Sequence, residues 1–199
     1  MSEASRRYER AIQEFFAAHA EDPRQIERNG EIFPDAVVYH ERMREWLEKL
    51  APDASEPLRL AAQAQHLRRW KIPRSDYPEG RLGYKKWRSD LADFHGNEAG
   101  AILRNCGFGS ETIERVQALL RKDNFANDPE GQLLQDVVCL VFLEHDFEEF
   151  AAKQEDEKMI SILRKTWRKM SALGQEVAAE LAQKLPANLR DLVQRAVSE

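Results

Sequence analysis

Apolar residues recur along most of this chain at the three- and four-residue spacing of an amphipathic helix. From Arg6 to His19, Tyr8, Ile12, Phe15 and Phe16 fall on one side, and Asp22-Pro23 ends the run. A second helix is predicted from Pro34 to Leu50, with proline in its first turn and Val37, Val38, Met43, Trp46, Leu47 and Leu50 as its buried stripe. A third runs from Ser55, a plausible cap, to Trp70. The breakers Pro73, Pro78 and Gly80 make Lys71–Gly83 an ordered loop. Helices are then expected at Tyr84–Phe94, Glu98–Asn105 and Ser110–Lys122, with Cys106–Gly109 as a turn. The very apolar stretch Pro129–Phe150 reads as the most buried helix. One long helix is expected over Asp156–Lys184, and a short one after Pro186 to Val197. No segment sustains the alternation of a strand, so the fold class is all-α.

Composition narrows this further. The chain has 199 residues, of which 42% are hydrophobic and 33% charged, enough for one globular domain and unlike a disordered chain. Its net charge of -5 argues against long nucleic acid as a partner. The longest apolar run, Val137–Leu143, is far short of the roughly 20 residues a membrane span needs. The first residues, Met1–Arg7, lead into a charged helix, not a signal-peptide core. Cys106 and Cys139 sit in apolar context and read as buried free thiols. The expected location is the cytoplasm, and a homodimer is left open.

Three of the five histidines and one acid carry candidate chemistry. His40 lies mid-helix, His66 lies among alanines late in the third predicted helix, and His95 starts His95-Gly96-Asn97-Glu98. Asp136 stands in the apolar helix between Leu133-Leu134 and Val137-Val138. A buried carboxylate costs several kcal/mol unless paired or bound to metal. Imidazole and carboxylate ligands from separate helices are a usual way to hold a divalent cation, which makes hydroxide from bound water for attack on phosphorus. Each residue alone is more ordinarily a hydrogen-bonded core or surface group, and Asp136 has Arg42 or another basic side chain as an alternative partner.

The order of these elements resembles the HD-domain superfamily of metal-dependent phosphohydrolases over roughly residues 35 to 145. His40 matches the family's first His and His66 its second. His95–Leu103 is similar to its third segment, and Gln132–Asp136 to the stretch that ends in its last Asp. The resemblance implies a compact HD-domain-like helical bundle within a single domain 1–199. Its core would span about 35–150, and the extension 155–199 would carry an extra long helix. It implies His40, His66 and Asp136 as ligands of a divalent metal, Mn, Fe, Mg or Zn, with His95 and Glu144 as catalytic groups. The family's second-motif Asp falls at Leu67, which cannot bind metal; Gln65, Glu41 and Glu144 are the candidates to replace it. Across nearly the whole chain, Gln65–Arg74, Tyr84–Arg88 and Arg164–Ser171 also look like an uncharacterised bacterial and fungal family often labelled glutamyl-tRNA synthetase. That label has no support here. No His-Ile-Gly-His-type motif and no strand–helix alternation are present, and Lys169-Met170-Ser171 is only a fragment of the synthetase lysine signature.

The segment Arg68–Arg88 holds eight basic residues against two acids, interleaved with Trp70, Tyr77, Tyr84 and Trp87. Guanidinium forks suit phosphate and aromatic faces suit a base or sugar. A solvated loop paired with surface acids is the plainer alternative. Arg69, Lys71, Arg74, Lys86 and Arg88 are therefore candidate ligands of a phosphorylated small molecule. On the tail helix Lys165 and Lys169 share a face and are added to them. Two functions follow. One is a divergent HD-like phosphohydrolase acting on a nucleotide or other phosphorylated small molecule. The other is a non-catalytic helical module that binds a phosphorylated ligand through the basic loop 68–88.

Overall fold

The structure is a computed structural model that describes residues 2–123 and 127–198. Apart from one short hairpin, its regular elements are helical, so the all-α expectation holds. Contact density divides the chain into two units, Met1–Asp123 and Asn124–Glu199. The division precedes the expected start of the C-terminal extension at residue 155. Among the described residues, no helix is long and apolar enough to cross a membrane.

In the first unit, α1 (Glu3–His19) is capped by Ser2, whose side chain accepts from the Ser5 N–H. Ala11, Phe15, Ala18 and His19 are buried, whereas Phe16, expected on the apolar side, is 56% exposed. A hairpin then follows where no strand was expected: β1 (Gln25–Arg28) pairs antiparallel with β2 (Glu31–Pro34). Its turn is Asn29-Gly30, with φ of 55° and 82°. Two successive left-handed residues are what a two-residue primed turn requires, and Asn-Gly is its strongest sequence mark. The carboxylate of buried Asp22 closes the base of the hairpin. It accepts from the Arg24 and Ala36 backbone N–H groups, at 3.0 and 3.2 Å. The second of these caps α2 (Asp35–Leu50), whose N-cap, Pro34, has no side-chain donor or acceptor to offer.

Ser55 caps α3 (Glu56–Gln63) as expected, accepting from the Leu58 N–H at 3.2 Å. This helix stops at Gln63 and not at Trp70. Beyond it the chain turns through Ala64–Arg68, then makes single 3-10 turns at Arg69–Lys71 and Arg74–Asp76. α4 (Gly80–Asn105) is one helix of 26 residues, where two had been expected. Gly96 does not break it because it faces α5 (Ser110–Arg121). A Cβ at Gly96 would stand 3.2 Å from Arg121 Nε, and one at Gly100 2.5 Å from the Gln117 side-chain nitrogen. The two glycines let α5 approach, and Leu91, Ala99, Leu103, Ile113 and Val116 form the core there.

In the second unit, Asp128 caps α6 (Pro129–Val141). The expected single helix to Phe150 is interrupted by a π-helical turn at Phe142–Asp146, and α7 (Phe147–Ala151) completes it. The long helix expected over 156–184 is two helices, α8 (Asp156–Trp167) and α9 (Ala172–Gln183). The break is local chemistry: Ser171 leaves the helix, and its Oγ accepts from the Gly174 N–H to cap α9. α10 (Ala187–Val197) ends the chain's regular structure. Both cysteines are buried and free, as expected.

Candidate functional site

The site grows from the turn after α3. His66 and Arg68 both adopt left-handed backbone, with φ of 55° and 50°. Residues other than glycine, asparagine and aspartate rarely do so, and the surroundings must hold them there. Arg68 is held by two carboxylates, Glu21 at 2.7 Å and Glu98 at 2.8 Å, which raise its guanidinium pKa further. The left-handed step at His66 places its ring beside Tyr39 (centroids 5.4 Å apart) and His95 (5.8 Å).

Beneath the turn lies a layer of buried imidazoles. His19 and His40 stack with centroids 3.5 Å apart. His19 Nε2 donates to the Gln63 carbonyl at 2.9 Å. His40 sets Nδ1 2.5 Å from the Ala36 carbonyl oxygen and Nε2 against that of Gln65. Burial lowers the pKa of His40 to about 4, so the ring is neutral and its one N–H donates to one of the two carbonyls. Burial, reinforced by His40, takes His19 to about 2.

His95, on α4, donates from Nδ1 to the Leu67 carbonyl at 2.8 Å. A carbonyl can only accept, so the hydrogen is on Nδ1 and the lone pair on Nε2. Burial, with Arg69 and Arg88 nearby, holds its pKa at about 4 against the pull of that carbonyl. His95 is 4% exposed, and its Nε2 has no partner. The side-chain nitrogen of Gln65, 3% exposed, has none either. Both residues line a cleft of about 330 Å³ together with His66, Arg69 and Arg88. The Arg69 guanidinium lies over the Trp87 ring, 4.8 Å from its centroid, and Trp87 Nε1 donates to the Ile72 carbonyl at 3.0 Å. Arg69 is pulled below its ordinary pKa by burial first and by Arg88 second. Among the described residues, neither Arg69 nor Arg88 has a hydrogen bond or ion pair. On the far wall, Arg121 pairs with Asp93 at 3.2 Å.

The chain belongs to the family described as a domain of unknown function (DUF4202). The family profile matches residues 9–193. No curated protein and no solved structure matches it, and the HD superfamily has no counterpart among the matches.

In this DUF4202 chain the expected site residues separate into groups. His66, His95, Arg69 and Arg88 come together at the cleft. Lys71 is exposed on the loop. Arg74 donates to the Tyr77 and Pro78 carbonyls, both at 2.8 Å, and staples the loop instead of facing a ligand. Lys86 pairs with Asp90 at 2.9 Å, where the Tyr77 hydroxyl also donates. Glu144, Asp136, Lys165 and Lys169 belong to the second unit. There Glu144 pairs with His145 at 3.1 Å.

The residues expected to hold a metal do not fit one. Both His40 nitrogens face carbonyl oxygens and leave no lone pair aimed at a cation site. Asp136 accepts from the Ser171 N–H at 2.9 Å and the Ser171 Oγ–H at 2.5 Å. Leu67, at the position of the resembled family's Asp, is fully buried and contributes only its carbonyl, to His95. Among the described residues, no three His, Cys, Asp or Glu side chains form a metal-holding group. The sequence offers Gln65 only as a substitute metal ligand, and nothing in it marks this residue's place in the cleft.

Proposed function

We propose that the first unit binds a phosphorylated small molecule in the cleft formed by the turn after α3 and the middle of α4. The observation that carries this reading is the pair Arg69 and Arg88. Arg88 lies close enough to Arg69 to lower the affinity of the Arg69 guanidinium for its proton, and among the described residues neither is in an ion pair, so the pair favours an anion. A phosphate group presents acceptor oxygens to both forks. Trp87 fixes the plane of Arg69, so little side-chain freedom is lost when a ligand arrives. The volume sits at the low end of small-molecule sites, roughly 300–1,000 Å³. Of the two functions the sequence suggested, the binding module is the one this geometry favours.

Calorimetric titration of the full chain with inorganic phosphate and a panel of phosphate monoesters tests it. Arg69→Gln and Arg88→Gln are each expected to weaken binding roughly ten- to a hundredfold, the scale of a lost charge-assisted hydrogen bond. Lys86→Gln is expected to change little, because Lys86 is committed to Asp90. Unaltered affinity in both arginine variants, with the fold intact by circular dichroism, would sink the reading.

A further inference from the structure

We infer that the cleft selects phosphate monoesters that carry a hydroxyl close to the phosphate, as small sugar and polyol phosphates do, with His95 Nε2 accepting the hydroxyl hydrogen. The inference rests on the phosphate reading above and deepens it. A buried acceptor without a partner is costly, and native structures rarely leave one. His95 Nε2 is such an acceptor, because the Leu67 carbonyl fixes the hydrogen on the other nitrogen. A ligand in the cleft that brings a donor there would satisfy it.

Three donors compete for that role. The phosphate itself does not serve: its second pKa is about 6, and beside two guanidiniums it is a dianion at neutral pH and above, with acceptors only. An ammonium group on the ligand is opposed by the same two guanidiniums, Arg69 and Arg88. A neutral hydroxyl remains. It also answers the second unpartnered group in the cleft, since it can give its hydrogen to His95 Nε2 and accept one from the side-chain nitrogen of Gln65. A site that hydrogen-bonds a ligand hydroxyl rejects the analogue that lacks it, because the protein group is then left buried and unpaired.

The test compares sn-glycerol 3-phosphate with n-propyl phosphate, which match in chain length and charge and differ in the hydroxyls. Calorimetry on the full chain at a pH of about 8 keeps both esters dianionic. Glycerol 3-phosphate is expected to bind at least about tenfold more tightly. In His95→Asn the side-chain nitrogen can still donate to the Leu67 carbonyl, but nothing replaces Nε2. The ratio of the two affinities is then expected to fall toward one. Lys86→Gln is expected to keep it. Equal binding of the two esters by the unaltered protein overturns the inference and leaves the phosphate reading standing. So does a ratio that survives in His95→Asn. Should that variant fail to fold, the ¹⁵N shift of His95 Nε2 in the unaltered protein decides. It is expected to move with glycerol 3-phosphate and not with propyl phosphate, and an unmoved shift with both overturns the inference. No binding of either ester or of inorganic phosphate overturns the inference and the phosphate reading together.

Discussion

Lowering the pH from 7 to 5 is expected to remove at least roughly 6 kcal/mol of folding stability through His19, His40 and His95 of the first unit, and His66, which burial also holds well below its ordinary pKa, adds to the loss. In the unfolded chain a histidine takes up its proton near its ordinary value of 6.5. In the native fold His40 and His95 stay neutral down to about 4, and His19 down to about 2, chiefly because burial penalises the charge. Between those values the unfolded state binds more protons than the native state, so stability rises with pH across the window. It is fully present above about 6.5 and is lost as the pH falls below it. Each pH unit of the window removes roughly 1.4 kcal/mol per histidine, or about 2 kcal/mol each by pH 5. A typical domain holds about 5–15 kcal/mol in all, so the change is large enough to bring the unit close to unfolding. Urea unfolding of the full chain at several pH values, with hydrogen exchange in α2–α4 as the local probe, measures it. His19→Phe keeps a ring against His40 while removing one titrating group, and is expected to flatten the pH dependence by the roughly 2 kcal/mol that one histidine contributes. A midpoint that stays level from pH 7 to pH 5 would show that these imidazoles are not held neutral.

What was legible in the sequence follows the range of the interaction that decides each feature. Ser55 is readable as a cap because its partner, the Leu58 N–H, lies three residues away. Asn29-Gly30 is equally local, yet strands of four residues with Gln25, Glu27, Arg28 and Glu31 outward show no apolar alternation. The turn signal therefore had no flanking pattern to join. Gly96 reads as a helix end only while the approach of α5 is unknown. At the candidate site the residue types were visible and their roles were not. Nothing in Gln65-His66-Leu67-Arg68 announces two left-handed residues, since none is the glycine or asparagine that usually marks them. Arg69 and Arg88 look like Arg74 and Lys86 along the chain. They differ only because backbone carbonyls and Asp90 satisfy the latter two. The same holds for the tautomer of His95, which is decided by a carbonyl 28 residues away.

Asp136→Ala is expected to cost roughly 3 kcal/mol, from the loss of its hydrogen bonds to Ser171 and to the Gln132 side chain and the groups they leave unpaired. The carboxylate is 1% exposed and accepts from both the backbone N–H and the hydroxyl of Ser171. It thereby holds the residue that ends the α8 segment and caps α9. Gly174 completes the arrangement, since a Cβ there would stand 2.6 Å from the carboxylate carbon. Ser171→Ala removes only the hydroxyl and is expected to cost about 1 kcal/mol, as a lost cap does. The two effects are not independent. Once Asp136 is gone the hydroxyl has lost its acceptor, so the double variant is expected to be less destabilised than the two single losses combined. Urea midpoints of the four proteins measure the coupling. Strict additivity would separate Asp136 from Ser171 and remove the reason for the helix break. Strong coupling, with unchanged phosphate affinity at the first unit's cleft, would establish this buried acid as a clamp on the chain's direction. The costly buried carboxylate that drew attention in the sequence would then be accounted for by a serine 35 residues away, with no metal required.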